Sequence, residues 1–168
     1  FPNRIQDVGV VKDLATHDID IITWLTGASI DLVGAQMAHK MGRVHEDLVA
    51  AVGSLSDGSV FRLDVNWLTP TKRRSVTVLG ERGAFVADLL TSDLVFFANS
   101  EVPTEWDALA RISGVSEGDM IRYAIPKPEP LRRELEAFAA NVVDRQPTEI
   151  ATMQEGVEIL RIAEAILR

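Results

Sequence analysis

The clearest periodic signal in the chain begins at Val10. At the helical repeat, Val11, Leu14, Ala15, Ile19, Ile21, Ile22 and Leu25 share one broad apolar face, which predicts a helix over 10–25. Gly27 stands where such a helix stops, since glycine enters the left-handed region that ends a helix without steric cost. From about Asp31 the period changes to two. Strands are predicted over 48–55 and 60–68, with Asp57-Gly58 as the hairpin signal between them. In the second strand Phe61, Leu63, Val65 and Trp67 point one way, and Arg62, Asp64 and Asn66 the other. Further strands are expected over 75–79, 84–88 and 93–98, the first two joined by Gly80-Glu81-Arg82-Gly83. The polar stretch 99–119 reads as a long loop or an irregular strand pair. Residues 121–125 rejoin the sheet before Pro126, Pro128 and Pro130 interrupt the chain.

A helix follows, with Leu131, Leu135, Phe138 and Val142 at helical spacing. The last helix opens on Thr152-Met153-Gln154-Glu155, a capping-box pattern, and carries Val157, Leu160, Ala163 and Leu167. One helix, about six strands and then two helices predict an α+β fold: an open, mostly antiparallel sheet with helices packed on one face.

Composition narrows the function classes. Hydrophobic residues make up 46% and charged residues 25% of the 168, an ordinary globular balance that argues against disorder. Seventeen basic against 25 acidic residues leave a net charge of −8, which disfavours nucleic acid or an anionic membrane as a partner. With no cysteine, disulfides, thiolate metal sites and cysteine nucleophiles are excluded. No apolar run approaches the roughly 20 residues of a membrane span, and no signal-peptide pattern is present, so a cytoplasmic location is expected. A chain starting at Phe1 without a methionine, already in structured-looking sequence, suggests a piece of a longer protein. It contains neither Gly-x-Gly-x-x-Gly after a strand nor a P-loop, so it carries no dinucleotide or NTP fingerprint of its own.

The chemistry concentrates in the first helix. Asp13, His17, Asp20 and Trp24 fall at i, i+4, i+7 and i+11, a stripe opposite the apolar face. A carboxylate one turn from an imidazole orients the ring and stabilises its charged form, which a general acid/base needs; Trp24 would wall such a site. The same spacing also suits a solvated helix face carrying a local Asp–His pair. A third reading is a metal site that adds His39 or His45, although no tight ligand spacing supports it. Asp18 faces the apolar side and needs a dedicated partner, Arg4 or a backbone N–H.

These residues are part of a wider pattern. Gly9-x3-Asp13-x3-His17-x-Ile19-Asp20 followed by Trp24-x2-Gly27 resembles the start of the C-terminal domain of Gfo/Idh/MocA oxidoreductases. Trp67-x2-Pro70-x-Lys72-x-Arg74 with Val78-x-Gly80-x2-Gly83 is similar to its middle strands, and Pro130-Leu131-x2-Glu134-Leu135-x2-Phe138 and Glu155-Gly156 to its closing helices. The opening Phe1-Pro2-x-Arg4-Ile5-x-Asp7-x-Gly9-Val10 resembles members of the UDP-N-acetylglucosamine 3-dehydrogenase type, with Asn3 in place of a second proline.

The resemblance implies a single C-terminal domain over 1–168, of the glyceraldehyde-3-phosphate dehydrogenase C-terminal type, whose N-terminal Rossmann domain is absent from this chain. That missing domain would bind most of an NAD or NADP. It implies a catalytic group made of Asp13 and His17 plus a lysine that this chain lacks, and it implies no metal. His17 would take the proton from a sugar, polyol or nucleotide-sugar hydroxyl as hydride leaves the same carbon, while Asp13 orients and stabilises it. Arg4 is a candidate for an anionic substrate group, and otherwise a surface arginine or the partner of Asp18. Asp20 and Lys72 are weaker substrate candidates, and Lys72-Arg73-Arg74 reads equally as strand-edge charge. A homodimer or homotetramer through the open sheet face is expected. Two alternatives remain at this point: a non-catalytic oligomerisation domain of the same fold, and a metal-dependent hydrolase.

Overall fold

The computed structural model describes residues 7–100, 116–145 and 150–168. They belong to two compact units, one formed by Phe1–Pro70 with Pro147–Arg168 and the other by Thr71–Gln146.

In the first unit a widened helical turn, Val11–Ala15, runs into helix α1, Thr16–Thr26. There the Thr16 N–H reaches back five residues to the Val11 carbonyl, and the Thr16 hydroxyl bonds the Lys12 carbonyl at 3.1 Å. The helix ends as expected at Gly27, whose φ of 66° lets its N–H close on the Thr23 carbonyl at 2.8 Å.

Strands β1 (Ile30–Ala38), β2 (Leu48–Leu55) and β3 (Val60–Asn66) form an antiparallel sheet in that order. Alternation along β3 is as predicted: Phe61, Leu63 and Val65 are buried while Arg62 and Asp64 are exposed. The Asp57-Gly58 turn closes through Ser59 N–H on the Asp57 carboxylate at 2.9 Å. Inward side chains of β2 and β3 pack with Val10, Val11, Ala15 and Ile19 and with the last helix to form the core.

That last helix is Met153–Ile166. Its capping box is present, with the Thr152 hydroxyl accepting from Glu155 N–H at 3.2 Å and the Glu155 carboxylate accepting from Thr152 N–H at 2.6 Å. Two bonds to that carboxylate, from Thr152 N–H first and from the Thr152 hydroxyl at 2.8 Å second, hold the Glu155 carboxyl below its ordinary value. The buried stripe overlaps the predicted one only at its C-terminal half: Ala163 is buried and Leu167 packs against the core as expected. Ile162, Ala163 and Ile166 are buried, whereas Val157 and Leu160 are exposed. The helix carries two apolar stripes at valid spacing, and only packing against α1 and β1 selects between them.

The second unit holds β4 (Ser75–Gly80), β5 (Gly83–Asp88), β6 (Asp93–Ser100) and β7 (Ser116–Tyr123), antiparallel and in sequential order. The α+β, antiparallel class is therefore as expected. Among the described residues, however, seven strands form two hydrogen-bonded sheets rather than about six forming one. Residues 67–74 separate the ladders: β3 ends at Asn66, whose side-chain oxygen accepts from Leu68 N–H at 3.0 Å and Thr69 N–H at 2.8 Å. The expected loop 99–119 is strand at both ends, β6 reaching Ser100 and β7 starting at Ser116; 101–115 lie outside the described residues.

Register places Val78, Phe85, Phe96 and Ile121 in one cross-strand row, and Val76, Ala87, Leu94 and Tyr123 in the next row of the same face. The Phe85 ring meets Phe96 tilted, with centroids 4.7 Å apart, and stacks on Tyr123 at 6.3 Å. Asp93 accepts from Lys127 Nζ at 2.7 Å and Arg122 Nη2 at 2.9 Å, which ties the proline-rich segment to β6 and β7 and holds the Asp93 carboxyl well below its usual range. The helix of this unit, Pro130–Asp144, starts with Glu129 as cap and proline in its first turn, and its Leu131, Leu135, Phe138 and Val142 stripe is exposed. To keep chain order, these last two helices are α2 (Pro130–Asp144) and α3 (Met153–Ile166).

Candidate functional site around the first helix

The start of the first helix is assembled from three elements. Its free N–H groups meet Glu46, from the loop before β2: Val10 N–H bonds the Glu46 backbone carbonyl at 3.0 Å, and Val11 N–H bonds its carboxylate at 3.0 Å. A carboxylate at the positive end of a helix satisfies orphan donors and complements the dipole. Glu46 is only 5% exposed. Gly9 lies directly beneath it, so close that a side chain there would overlap the carboxylate carbon and both oxygens.

Asp47, the next residue, is fully buried. Its carboxylate accepts from Met41 N–H at 2.7 Å, folding the β1–β2 loop back, and its carbonyl accepts from Trp67 N–H at 3.0 Å. Trp67, just past β3, therefore has a fixed backbone. Its ring lies under the Arg43 guanidinium, 5.1 Å from the centroid, a cation–π contact. Its indole N–H donates to Asp13 Oδ2 at 3.0 Å.

Asp13 is thus half-buried and held from the sheet, inside the widened turn. His17 is exposed, in the first turn of α1; among the described residues its side chain has no hydrogen bond, and none joins it to the Asp13 carboxylate. The stripe drawn at 3.6 residues per turn is therefore interrupted. Asp13 is rotated relative to His17, Asp20 and Trp24, which follow in regular α-helix. Asp20 is half-buried, and Trp24 is 63% exposed, so within the described residues it walls nothing. Asp18 is part-buried and engaged by a partner, as its place on the apolar side demands. Arg4 lies outside the described residues. Lys72 is exposed and belongs to the second unit. Among the described residues no group of three or more His, Asp or Glu side chains, including His39 and His45, is placed to hold a metal ion. No described helix is long and apolar enough to cross a membrane.

A conserved-domain match now bears on this geometry. Residues 3–168 match the model of the Gfo/Idh/MocA oxidoreductase family, C-terminal alpha/beta domain. The chain belongs to this family. The structure of this Gfo/Idh/MocA domain is similar to that of UDP-N-acetylglucosamine 3-dehydrogenase GnnA from Acidithiobacillus ferrooxidans. The TM-score is 0.79 at 22% identity, over 99% of this chain and 48% of that one. It is also similar to GenD2 from gentamicin A biosynthesis, solved with NAD, with a TM-score of 0.66 at 22% identity over 95% of this chain and 45% of that one. A third is the WlbA dehydrogenase from Bordetella pertussis, solved with NADH and UDP-GlcNAcA: TM-score 0.62 at 22% identity, over 96% and 42% of the two chains. The Gfo/Idh/MocA domain described here spans about half the length of these solved relatives. Curated proteins show no significant sequence match to it.

Within this domain, sequence reading names Asp13 and His17 but not what holds them. Glu46 and Asp47 sit in a polar run, Arg43-Val44-His45-Glu46-Asp47, with no periodicity to mark two of its acids as buried. Trp67 carries a better signal. It extends the inward-facing register of β3, where an indole needs a partner for its N–H, but nothing local names Asp13, 54 residues away.

Proposed function

We propose that this domain is the substrate-binding and catalytic half of an NAD(P)-dependent dehydrogenase acting on a hydroxyl of a sugar, polyol or nucleotide sugar, the last being the favoured class. The observation that carries the reading is local. An anchored carboxylate, Asp13, precedes by one turn an exposed imidazole, His17, that no described side chain occupies, in a domain of an oxidoreductase family. The names of similar structures, two of which refer to UDP-sugars, favour the nucleotide-sugar class.

The donor set fits a nicotinamide cofactor. Oxidising a carbinol requires a base for the hydroxyl proton, and His17 with Asp13 supplies one; nicotinamide, when bound, supplies the hydride acceptor. His17 accepts the hydroxyl proton at a ring nitrogen, and the Asp13 charge stabilises the imidazolium. The dinucleotide itself is held mainly by an N-terminal Rossmann-type domain that also contributes a lysine. The test is to incubate the full-length protein with UDP-N-acetylglucosamine, other UDP-sugars and free sugars, with NAD+ or NADP+, and follow nicotinamide absorbance. Reduction with a UDP-sugar supports the reading, and no reduction across the panel removes it.

The sheet of the second unit is the self-association surface of the same reading. Val78, Phe85, Ile121 and Tyr123 share its face at 39 to 46% exposure, an apolar expanse that a second copy would cover. Light scattering on the full-length protein is expected to give a dimer or tetramer, and Ile121→Lys to shift it to smaller species. A wild-type monomer would end that part of the proposal.

A further inference from the structure

We infer that Trp67 is a positioning residue for the acid/base pair, acting through Asp13; the inference rests on the reading of Asp13 and His17 given above. Three restraints converge on Trp67. Its N–H is bonded to the carbonyl of fully buried Asp47, its ring face is covered by Arg43, and its indole N–H donates to Asp13 Oδ2 at 3.0 Å. The side chain that meets the carboxylate is therefore fixed at its backbone and on its face before it donates.

The chemistry of the donor matters as much as its position. Indole nitrogen is a donor only and carries no charge. It fixes one oxygen of Asp13 without neutralising the carboxylate, as an arginine or lysine would. Among the described residues Oδ1 accepts no hydrogen bond, so the second oxygen stays open. Asp13 N–H bonds the Gly9 carbonyl at 3.1 Å, which fixes where its side chain leaves the helix, and the bond from the Trp67 indole fixes the carboxylate at its other end.

Trp67→Phe isolates the N–H, because phenylalanine keeps a ring beneath Arg43. In the full-length protein, with UDP-N-acetylglucosamine and NAD+, this variant should lower kcat on the order of 10–100-fold with KM nearly unchanged, as misplacing a catalytic constellation does. In an Asp13→Asn background the same change should cost less than about twofold, since residues acting as one unit are non-additive. Independently of turnover, the Trp67 indole N–H resonance should lie downfield and move on Asp13→Ala. Each outcome discriminates. A Trp67→Phe kcat within about twofold of wild type, with His17→Ala inactive, overturns the positioning role and leaves the functional reading intact. Full activity in His17→Ala overturns both. An indole resonance indifferent to Asp13→Ala overturns the positioning role even if no turnover is found with this substrate.

Discussion

Gly9→Ala will destabilise this domain by about 3 kcal/mol, as overpacking a buried, hydrogen-bonded site does. The cause is not backbone strain, because Gly9 is not among the residues with positive φ. It is the Glu46 carboxylate, which occupies the space a methyl group would need. A flexible side chain could normally step aside. Glu46 is 5% exposed and bonded to Val11 N–H, so moving it opens the helix start and strands a buried anion. The coupling is testable by denaturant titration. Glu46→Ala removes the obstacle, so Gly9→Ala should cost far less in that background than in wild type. Additive effects of the two substitutions would show that the clash is not the cause.

The glycine also shows where sequence reading reaches and where it stops. Helix and strand positions were legible wherever one periodicity dominated: β2 runs over the predicted 48–55, and the first helix ends at Gly27, which enters the left-handed turn without steric cost. Two kinds of information were not local. One is the choice between equally spaced stripes, as in α3, where Ile162 and Ile166 rather than Val157 and Leu160 are buried because of what packs against them. The other is side-chain pairing across the fold. Glu46 reaches Val11 across 35 residues and Trp67 reaches Asp13 across 54. The Asp13–His17 stripe, drawn at 3.6 residues per turn, is interrupted because the helix is widened over Val11–Ala15. The family resemblance supplied what spacing could not, a reason to prefer chemistry over a solvated helix face.

His17→Ala in the full-length protein should reduce turnover by roughly 10²–10⁴-fold, the usual range for loss of a general acid/base, while dinucleotide binding stays near normal. The separation follows from the layout. The His17 side chain is exposed and makes no hydrogen bond among the described residues, so its removal leaves the core of Val10, Val11, Ala15 and Ile19 untouched, and the thermal midpoint should not move. Asp13→Asn keeps an oxygen to accept the Trp67 N–H but removes the charge, so it should fall between wild type and His17→Ala. Cofactor titration by fluorescence, alongside initial rates, distinguishes this from general damage. If His17→Ala loses dinucleotide affinity and turnover together, the histidine belongs to cofactor binding; if it retains turnover, the proton is taken by another group. The ordering His17→Ala below Asp13→Asn below wild type is what an imidazole base steadied by a tethered carboxylate requires, because the base moves the proton and the carboxylate only stabilises the charge that results.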